Sequence, residues 1–545
     1  MTSNFYTTFL TSLYGKPAAG PLTERLQARL TGYRGQIAAP ARCDLSEKDA
    51  MLITYGDQVR QEGELPLQTL TAFCDKHLAD ILSGVHVLPF FPWSSDDGFA
   101  IKDYRQVDPA LGTWEDIERL GGHFRLMIDG VLNHTSAQGK WFKAFLRDEQ
   151  PYRDYFLTVS GQADLSRVVR PRALPLVHEF DTTAGPRQVW TTFSADQVDL
   201  DYHNPDVLLE MLDILLGYVR KGAQFLRLDA IAYVWKEIGT SCIHLPQTHA
   251  IVQLLHAVLA EAAPHVRLIT ETNVPHNENL SYFGDGTNEA DLIYNFALPP
   301  LVLHTFLSGD ATILSDWAAK LQTPSAQTTF FNFLASHDGI GLNPALGILS
   351  QAQIDALVQN TLAHGGRISY KENADGSQSP YELNINYFDA LSDPAGSESL
   401  ALQAKRFLTA QAMLLSLRGL PGIYFHSLFG SRNWNEGVAL SGQARSINRQ
   451  KLELDDLEND LNTPSSLRAL VFDGYRKLLQ QRAASPAFHP QGGQEILHLN
   501  PGVFAVLRTS PDGREKMLCL HNVSGETQSA GQWTLEGYET MWVRT

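Results

Sequence analysis

Cysteine is scarce in this sequence, and long apolar runs and a basic leader are missing from it. The four cysteines, Cys43, Cys74, Cys242 and Cys519, show no CxxC spacing, which gives no support to a metal site or a redox pair. Sparse cysteine in a long chain is typical of a reducing compartment. No segment reaches the roughly 18 consecutive apolar residues of a membrane span, and the first residues lack a basic stretch followed by an apolar run. We therefore expect a soluble cytoplasmic protein.

Basic residues are fewer than acidic ones, 43 against 60, which gives a formal net charge of −17. This balance argues against a nucleic-acid surface or an anionic membrane as a partner. It also means that an anionic substrate would need a local cluster of arginine or lysine. With 545 residues the chain is too long for one compact domain of ordinary size, and its 43% of apolar residues is enough for a large core.

Eight short apolar runs alternate with longer helical patterns along most of the chain. Such alternation is typical of βαβ units and a parallel sheet. Eight units suggest a closed (β/α)8 barrel, which needs about 250 residues. The predicted strands are AMLITYGD (50–57), GVHVLPF (84–90), RLMIDGVLNH (125–134), QFLRLDA (224–230), VRLITETN (266–273), DLIYNF (291–296), TFFNFLASHD (329–338) and LPGIYFH (420–426).

Two connections between these strands are much longer than usual. The first predicts an inserted domain over 135–222, after strand 3, and the second is a long loop over 339–418. We assign 1–134 and 223–484 to the barrel, in the α/β class. Short strands separated by Gly, Pro and Asn turns predict a small all-β domain over 485–545.

Three carboxylates stand where predicted strands end: Asp229 in FLRLDA, Glu271 in LITETN and Asp338 in FNFLASHD. A parallel barrel gathers these ends on one face, so we expect all three in one pocket. Arg227 lies two residues before Asp229 and shares its face, which favours the ionised carboxylate and hence a nucleophile. Glu271, facing other carboxylates, should hold its proton more tightly, as a general acid must.

Two histidines at the same face complete the pattern. His134 ends the DGVLNH run, and His337 precedes Asp338. His134 could donate a hydrogen bond to a sugar hydroxyl, while Asp338 could hold sugar hydroxyls as charge develops on the ring. A pair of carboxylates is what cleavage of a glycosidic bond requires, so a carbohydrate-active enzyme is indicated.

These residues carry a resemblance to the α-amylase family of glycoside hydrolases, whose members act on α-glucosides with retention. The four signature stretches are DGVLNH (129–134), FLRLDAIAY (225–233), ITET (269–272) and FLASHD (333–338). The resemblance covers about residues 50 to 450. It implies a barrel with an inserted domain after the third strand and a C-terminal β domain.

Within the family, the chain resembles most the sucrose phosphorylase group, through stretches such as GVHVLPFFPWSSDDGFAIKDY (84–104), RPRALP (170–175) and SINRQ (446–450). The resemblance implies Asp229 as nucleophile, Glu271 as acid/base and Asp338 as transition-state stabiliser. It places around the glucosyl ring Asp96, Phe99, His134, Arg227, Tyr233, His337 and Arg449. An ion pair between Asp96 and Arg449 could close the sugar subsite.

Phosphorolysis requires that phosphate reach a pocket rich in carboxylates, which calls for a cation. The RVVRPR stretch (167–172) offers three arginines, and the resemblance implies that Arg172 handles phosphate. No cofactor and no metal are expected, because two carboxylates supply the chemistry and the sequence shows no strong calcium loop.

Two positions depart from the best-known sucrose phosphorylases. Asn273 stands where they carry His, and Glu382, in SPYELN (379–384), stands where they carry Gln. Both positions lie near the acceptor subsite of the family, so we include Glu382 among the substrate-binding residues. The flanking stretches look more like the branch acting on sucrose 6'-phosphate, glucosylglycerate or glucosylglycerol. Glu382 would disfavour an anionic acceptor if it faced it, and the nearby Arg367 and Lys371 could reverse that.

The sequence therefore predicts a retaining α-glucoside phosphorylase that passes a glucosyl unit to phosphate and releases α-glucose 1-phosphate. The acceptor stays open among fructose, fructose 6-phosphate, glycerate and glycerol. An α-glucoside hydrolase or transglucosidase would use the same residues. A non-catalytic barrel is disfavoured because none of the acids is lost. The ratio of phosphorolysis to hydrolysis and the oligomeric state are also open, a homodimer being one expectation.

Overall fold

The eight predicted strands form a closed parallel barrel in the computed structural model, which describes residues 2–40, 44–161, 163–373 and 375–545. Each strand is hydrogen-bonded to the next in chain order, and the last pairs with the first. The strands are β1 Met51–Thr54, β2 Gly84–Val87, β3 Arg125–Val131, β4 Ala223–Asp229, β5 Arg267–Thr270, β6 Leu292–Tyr294, β7 Thr329–Asn332 and β8 Leu420–Tyr424. The predicted (β/α)8 fold is confirmed.

The strands are buried because helices cover the outside of the barrel while side chains fill its interior. All seven residues of β3 are buried, as a strand covered on both faces requires. The helices between and after the strands are Pro66–His77, Trp114–His123, Pro205–Arg220, Pro246–Ala262, His276–Leu280, Leu298–Ser308, Thr312–Ala318, Leu400–Ser416 and Leu467–Ala483. Within the described part of the chain, no helix is both long and apolar enough to cross a membrane.

The first long connection carries a small antiparallel sheet. Its strands are Thr158–Val159, Val177–Thr182 and Gly185–Trp190, and a further pair joins His134–Ser136 to Gln197–Asp199. Helix Lys140–Leu146 lies among them. The connection ends in helix Pro205–Arg220, which packs on β4. The boundary of the inserted domain at residue 222 therefore remains a prediction, since its last part is one of the barrel's helices.

The second long connection also has its own sheet, in which Gln378–Asn384 lies between Ile340–Gly341 and Arg367–Glu372. Helices Gln351–Ala363 and Tyr387–Leu391 accompany it. After β8 come the helices Phe425–Leu428, Asn435–Ser441 and Leu454–Leu461 and the short turn of helix Ala444–Asn448. These segments cover the carboxyl ends of the strands and supply part of the pocket described below.

The C-terminal region is an antiparallel sheet, as predicted. Its strands are Gly493–Ile496, Val503–Thr509, Lys516–Asn522 and Thr540–Arg544, with a separate hairpin of Gln528–Ala530 and Trp533–Leu535. Side chains of the second and third strands, such as Phe504 and Cys519, join the core cluster around helix Leu400–Ser416. The sheet is thereby fixed to the barrel through a shared apolar core.

Two N-terminal helices, Thr2–Tyr14 and Lys16–Tyr33, form a hairpin that the sequence analysis did not predict. They pack on the helices Pro205–Arg220 and Pro246–Ala262, on either side of β4. Two tyrosines add hydrogen bonds: the buried Tyr6 donates from its hydroxyl to Glu261 at 2.9 Å, and the half-buried Tyr14 donates from its hydroxyl to the carbonyl of Tyr202 at 3.0 Å.

Candidate active site

The three predicted acids meet at the carboxyl end of the barrel, where they line one pocket. Asp229 is the last residue of β4, and Glu271 follows β5 directly. The parallel register pairs Leu228 with Thr270, so Asp229 and Glu271 leave their strands at the same level. Asp338 enters from the loop that follows β7. The three acids meet because each stands at or just after the carboxyl end of a barrel strand, as the sequence predicts.

Arg227 lies beneath the pocket and contacts three carboxylates. Its Nη1 is 2.5 Å from Asp129 and 2.9 Å from Asp229, and its Nη2 is 3.9 Å from Glu271. The register of β3 and β4 places Asp129 directly beside Arg227. His86 holds the other oxygen of Asp129 at 2.8 Å. Against the opposing effect of burial, His86 and Arg227 lower the pKa of Asp129 to about 2, so this carboxylate is a fixed negative charge.

Burial raises the pKa of Asp229 well above its ordinary value, and it raises the pKa of Glu271 as well. The guanidinium of Arg227 opposes the rise at each of them, while neighbouring carboxylates add to it. Arg227 donates a hydrogen bond to Asp229 but only approaches Glu271. Glu271 also accepts a hydrogen bond, but from the uncharged N–H of Ala230. A charge-assisted hydrogen bond favours the charged form more than a neutral one does, so we propose that Asp229 carries the negative charge of the pair and Glu271 the proton.

The backbone after Asp229 is in an uncommon conformation that serves Glu271. Ala230 has φ 50° and ψ 29°, in the left-handed region that residues with a Cβ adopt rarely. In this conformation its N–H donates to Oε2 of Glu271 at 3.0 Å. Strain of this kind persists where surrounding structure enforces it, often at functional sites. The turn therefore fixes the two acids relative to each other.

Asp338 is held by a guanidinium that the sequence analysis did not single out. Nη1 of Arg445 contacts Oδ1 of Asp338, and its Nε and Nη2 donate to the two oxygens of Glu382 at 3.1 and 2.9 Å. Although burial opposes it, the charges of Arg445 and Arg449 hold the pKa of Asp338 well below its usual range. Asp338 is thus an ionised carboxylate at the pocket wall.

Flat aromatic groups form another part of the wall. The rings of Phe99 and His337 stack with centroids 4.8 Å apart and an angle of 6° between their planes. His134 lies within hydrogen-bonding distance of Gln197 Nε2 and of the Phe99 carbonyl, both at 3.2 Å. Burial lowers the pKa of His134 to about 4 and that of His337 to about 3. Both imidazoles are therefore neutral near pH 7 and can bind hydroxyl groups without adding charge.

The expected ion pair between Asp96 and Arg449 is not the main contact of this arginine. Nη1 of Arg449 is 2.5 Å from Asp97 and 3.9 Å from Asp96. Both aspartates have positive φ, 53° and 47°, because they form a tight turn. This turn directs Asp97 toward Arg449 and leaves Asp96 on the pocket side. Arg449 also donates from Nε to the carbonyl of His337 at 2.8 Å.

Of the three arginines in the 167–172 stretch, only Arg172 reaches the catalytic pocket. Arg167 donates to the carbonyl of Gly239 at 2.8 Å, and Arg170 forms a salt bridge of 2.8 Å with Glu372. Lys371, which the sequence placed near the acceptor, donates instead to Asn343 at 2.7 Å in a neighbouring groove. Arg172 therefore carries the positive charge that this loop brings to the pocket.

Most of the predicted site residues line the pocket, and three lie behind it. The lining residues are Asp96, Phe99, His134, Arg172, Asp229, Tyr233, Glu271, His337 and Asp338. Arg227 and Arg449 are buried behind the wall and position its acids. Glu382, expected near the acceptor, does not face the pocket, because it is fully buried against Arg445 and the Gly339 N–H.

Four further residues belong to the site but were not among the predicted ones. Arg445, Tyr381 and Gln197 line the pocket, and Asp129 pairs with Arg227. Signals existed for three of them: Asp129 opens DGVLNH, Tyr381 precedes Glu382, and Arg445 lies four residues before Arg449. Gln197 has no such signal, since it enters through the register of a small strand that pairs it with Ser136. Within the described residues, no group of three or more His, Cys, Asp or Glu side chains is arranged to hold a metal ion.

Residues 78–355 match the family model described as alpha amylase, catalytic domain. The chain belongs to the α-amylase family. A glucosylglycerate phosphorylase from Spirochaeta thermophila is 53% identical over 94% of this chain and 88% of the relative. A second glucosylglycerate phosphorylase, from Allomeiothermus silvanus, is 50% identical over 97% of this chain and 96% of the relative. The expected resemblance to the sucrose phosphorylase group is confirmed.

A solved structure supports the same placement. The chain superimposes on sucrose 6F-phosphate phosphorylase from Thermoanaerobacter thermosaccharolyticum with a TM-score of 0.77 and 25% identity, covering 89% of this chain and 96% of that one. By sequence, the two glucosylglycerate phosphorylases above are 53% and 50% identical to this chain, against 28% for a sucrose 6(F)-phosphate phosphorylase from Thermoanaerobacterium thermosaccharolyticum. The protein is an enzyme of the phosphorylase group within the α-amylase family.

Proposed function

We propose that this enzyme is a retaining α-glucoside phosphorylase that converts glucosylglycerate and phosphate into α-glucose 1-phosphate and glycerate. The identity of 53% to a glucosylglycerate phosphorylase, over nearly the whole chain, is the observation that carries the choice of acceptor. A glycerate acceptor also fits a pocket in which Arg172 lines the wall without a carboxylate partner, while Glu382 is held by Arg445 and does not face the pocket. The alternative of a hydrolase or transglucosidase is not favoured by these relatives.

The first half-reaction forms a covalent glucosyl-enzyme. Asp229 attacks the anomeric carbon, and the bond from that carbon to the glycerate oxygen breaks. The oxygen takes the proton of Glu271, so glycerate leaves as the free hydroxy acid anion. The hydrogen bond from Arg227 keeps Asp229 ionised for this attack, while the raised pKa of Glu271 keeps its proton available.

The second half-reaction reverses the roles at the same carbon. A phosphate oxygen attacks the anomeric carbon, the ester bond to Asp229 breaks, and the phosphate proton passes to Glu271. Two displacements restore the α configuration. In both, the ring acquires positive charge in the transition state, which the ionised Asp338 stabilises from the wall of the pocket.

The remaining residues hold the glucosyl ring and the anion. Asp96, His134 and His337 offer groups that bind sugar hydroxyls, and the flat face of Phe99 supports the ring. Tyr233 stands beside Glu271 in the pocket. Arg172 binds phosphate, since it is the cation at the pocket wall that no carboxylate already occupies. The chemistry needs no cofactor, because all proton and bond transfers use Asp229 and Glu271.

The reaction can be tested in both directions with purified enzyme. Glucosylglycerate should yield α-glucose 1-phosphate only when phosphate is present. In reverse, α-glucose 1-phosphate is supplied with glycerate, glycerol, fructose or fructose 6-phosphate, and phosphate release is followed. We expect the highest kcat/KM with glycerate. Equal glucose release with and without phosphate would establish a hydrolase, and a better acceptor among the other three would overturn the choice of glycerate.

A further inference from the structure

The cations around the catalytic pocket differ in how fully they are engaged. Arg227 is bound by Asp129 and Asp229, and Arg445 is shared between Asp338 and Glu382. Arg172, by contrast, forms no hydrogen bond or salt bridge with any residue in the described part of the chain. It is therefore the guanidinium at this pocket whose donors are available to a ligand.

The position of Arg172 connects two spaces. It lines the catalytic pocket together with Glu271 and Tyr381, and it also lines the adjoining vestibule on the side of Asp97. Burial raises the pKa of the Tyr381 and Tyr233 hydroxyls, and the positive charge of Arg172 opposes that rise at both. An anion in either space can therefore contact Arg172.

The two half-reactions place similar demands on this position. In a double displacement, the departing acceptor and the incoming nucleophile occupy the same side of the glucosyl ring in turn. Glycerate and phosphate are both anions with paired oxygens that suit the fork of a guanidinium. Glycerate is a three-carbon acid, so its carboxylate lies close to whichever hydroxyl carries the glucosyl unit. One arginine beside the acid/base can therefore reach either ligand.

We propose that Arg172 is the shared anion-binding residue of both half-reactions, holding the carboxylate of the departing glycerate and then the incoming phosphate. This inference rests on the proposed function and adds the residue that selects an acidic acceptor. The two anions exclude each other from Arg172, so glycerate must leave before phosphate binds.

The test uses α-glucosyl fluoride as donor, because fluoride leaves without help from an anion site. The glucosyl-enzyme then divides among water, glycerate, phosphate and glycerol, and the products are quantified by chromatography. The ratio of each product to free glucose does not depend on how fast the intermediate forms. A change in this ratio therefore reports on the acceptor alone.

In the Arg172→Gln variant we expect the glycerate and phosphate ratios both to fall at least about tenfold, as loss of a charge-assisted pair worth about 1.4 kcal/mol or more implies. The glycerol ratio should change much less. The Arg170→Gln variant is the matched control: it removes the same charge two residues away from a side chain that faces Glu372, and its ratios should match those of the wild type.

Other outcomes would overturn the inference. If only the phosphate ratio fell, Arg172 would bind phosphate but not glycerate. If the glycerol ratio fell as much as the other two, Arg172 would shape the acceptor site without recognising an anion. Arg172→Lys extends the test if the glutamine variant folds poorly, since a lysine keeps the charge without the fork and should show a smaller loss for both anions. Failure of the wild-type enzyme to transfer to glycerate at all would instead refute the proposed function.

Discussion

Glu382 binds both Nε and Nη2 of Arg445, while Nη1 of the same guanidinium contacts Asp338. One positive charge is thus shared by two carboxylates, and the three groups together keep one net negative charge. Asp338 is the member that faces the pocket, so this charge is available to a ring that becomes positive in the transition state. We therefore propose that the departure from Gln to Glu at position 382 acts on Asp338, the proposed stabiliser, and not on the acceptor.

A Glu382→Gln substitution tests this arrangement. Arg445 would then be balanced by Asp338 alone, and the net charge of the three groups would change from −1 to zero. We expect kcat to drop about tenfold, or about 1.4 kcal/mol in the activation free energy, with little change in the KM for glycerate. Steady-state kinetics of the reverse reaction measure both values. A selective change in the glycerate KM with kcat preserved would return Glu382 to a direct role in acceptor binding.

Replacement of the two proposed catalytic acids should have different effects with different donors. Asp229→Asn should abolish transfer from every donor, because no covalent intermediate can form. Glu271→Gln should lower kcat with glucosylglycerate about 100- to 10,000-fold, the usual contribution of a general acid. The rate of glucosyl-enzyme formation from α-glucosyl fluoride should fall much less, because fluoride leaves without a proton from Glu271. Circular dichroism should show intact folds. Equal losses with both donors would contradict the assignment of Glu271 as proton donor.

The raised pKa of Glu271 predicts the pH dependence of phosphorolysis. Glu271 must carry a proton to release glycerate, so kcat/KM should fall as the pH rises through its pKa. Because burial and the charge of Asp338 raise that pKa, the decline should occur above 4.5, the ordinary value for glutamate. Removing the charge in Asp338→Asn should shift the decline in the residual activity to lower pH. An unchanged or higher position would refute the proposed coupling of the two groups.

Asp129 lies outside the pocket, yet its loss should destabilise the barrel. Asp129→Asn removes the carboxylate that the buried Arg227 and His86 share, so that Arg227 keeps only its contacts with Asp229 and Glu271. Removing one partner of a buried ion pair costs about 3–5 kcal/mol, which denaturant unfolding followed by fluorescence would detect. Asp80→Asn is the control, since its pair with Arg476 is exposed and such pairs contribute about 0–1 kcal/mol. Similar midpoints for the two variants would show that Arg227 does not depend on Asp129.

The sequence predicted the barrel because its strands are apolar runs that end in polar residues, as the stretches ending in Asp229 and Glu271 illustrate. That pattern depends on local composition, and the closed parallel order then follows from it. The Arg445–Glu382 contact could not be predicted in this way. It joins residues 63 positions apart, one in the strand Gln378–Asn384 and the other in the short helix Ala444–Asn448, and only the fold determines which carboxylate an arginine meets. The same limit explains why Arg449 pairs mainly with Asp97: the choice depends on the conformation of a tight turn.

The N-terminal helices have a practical consequence for anyone who shortens or fuses this protein. Although they lie before the first barrel strand, they pack against both helices that flank the strand bearing Asp229. A truncated protein that starts at β1 would expose the apolar faces of these helices to water and lose the hydrogen bonds of Tyr6 and Tyr14. The smallest unit worth expressing therefore begins with the helical hairpin, and not with the barrel that the motifs delimit.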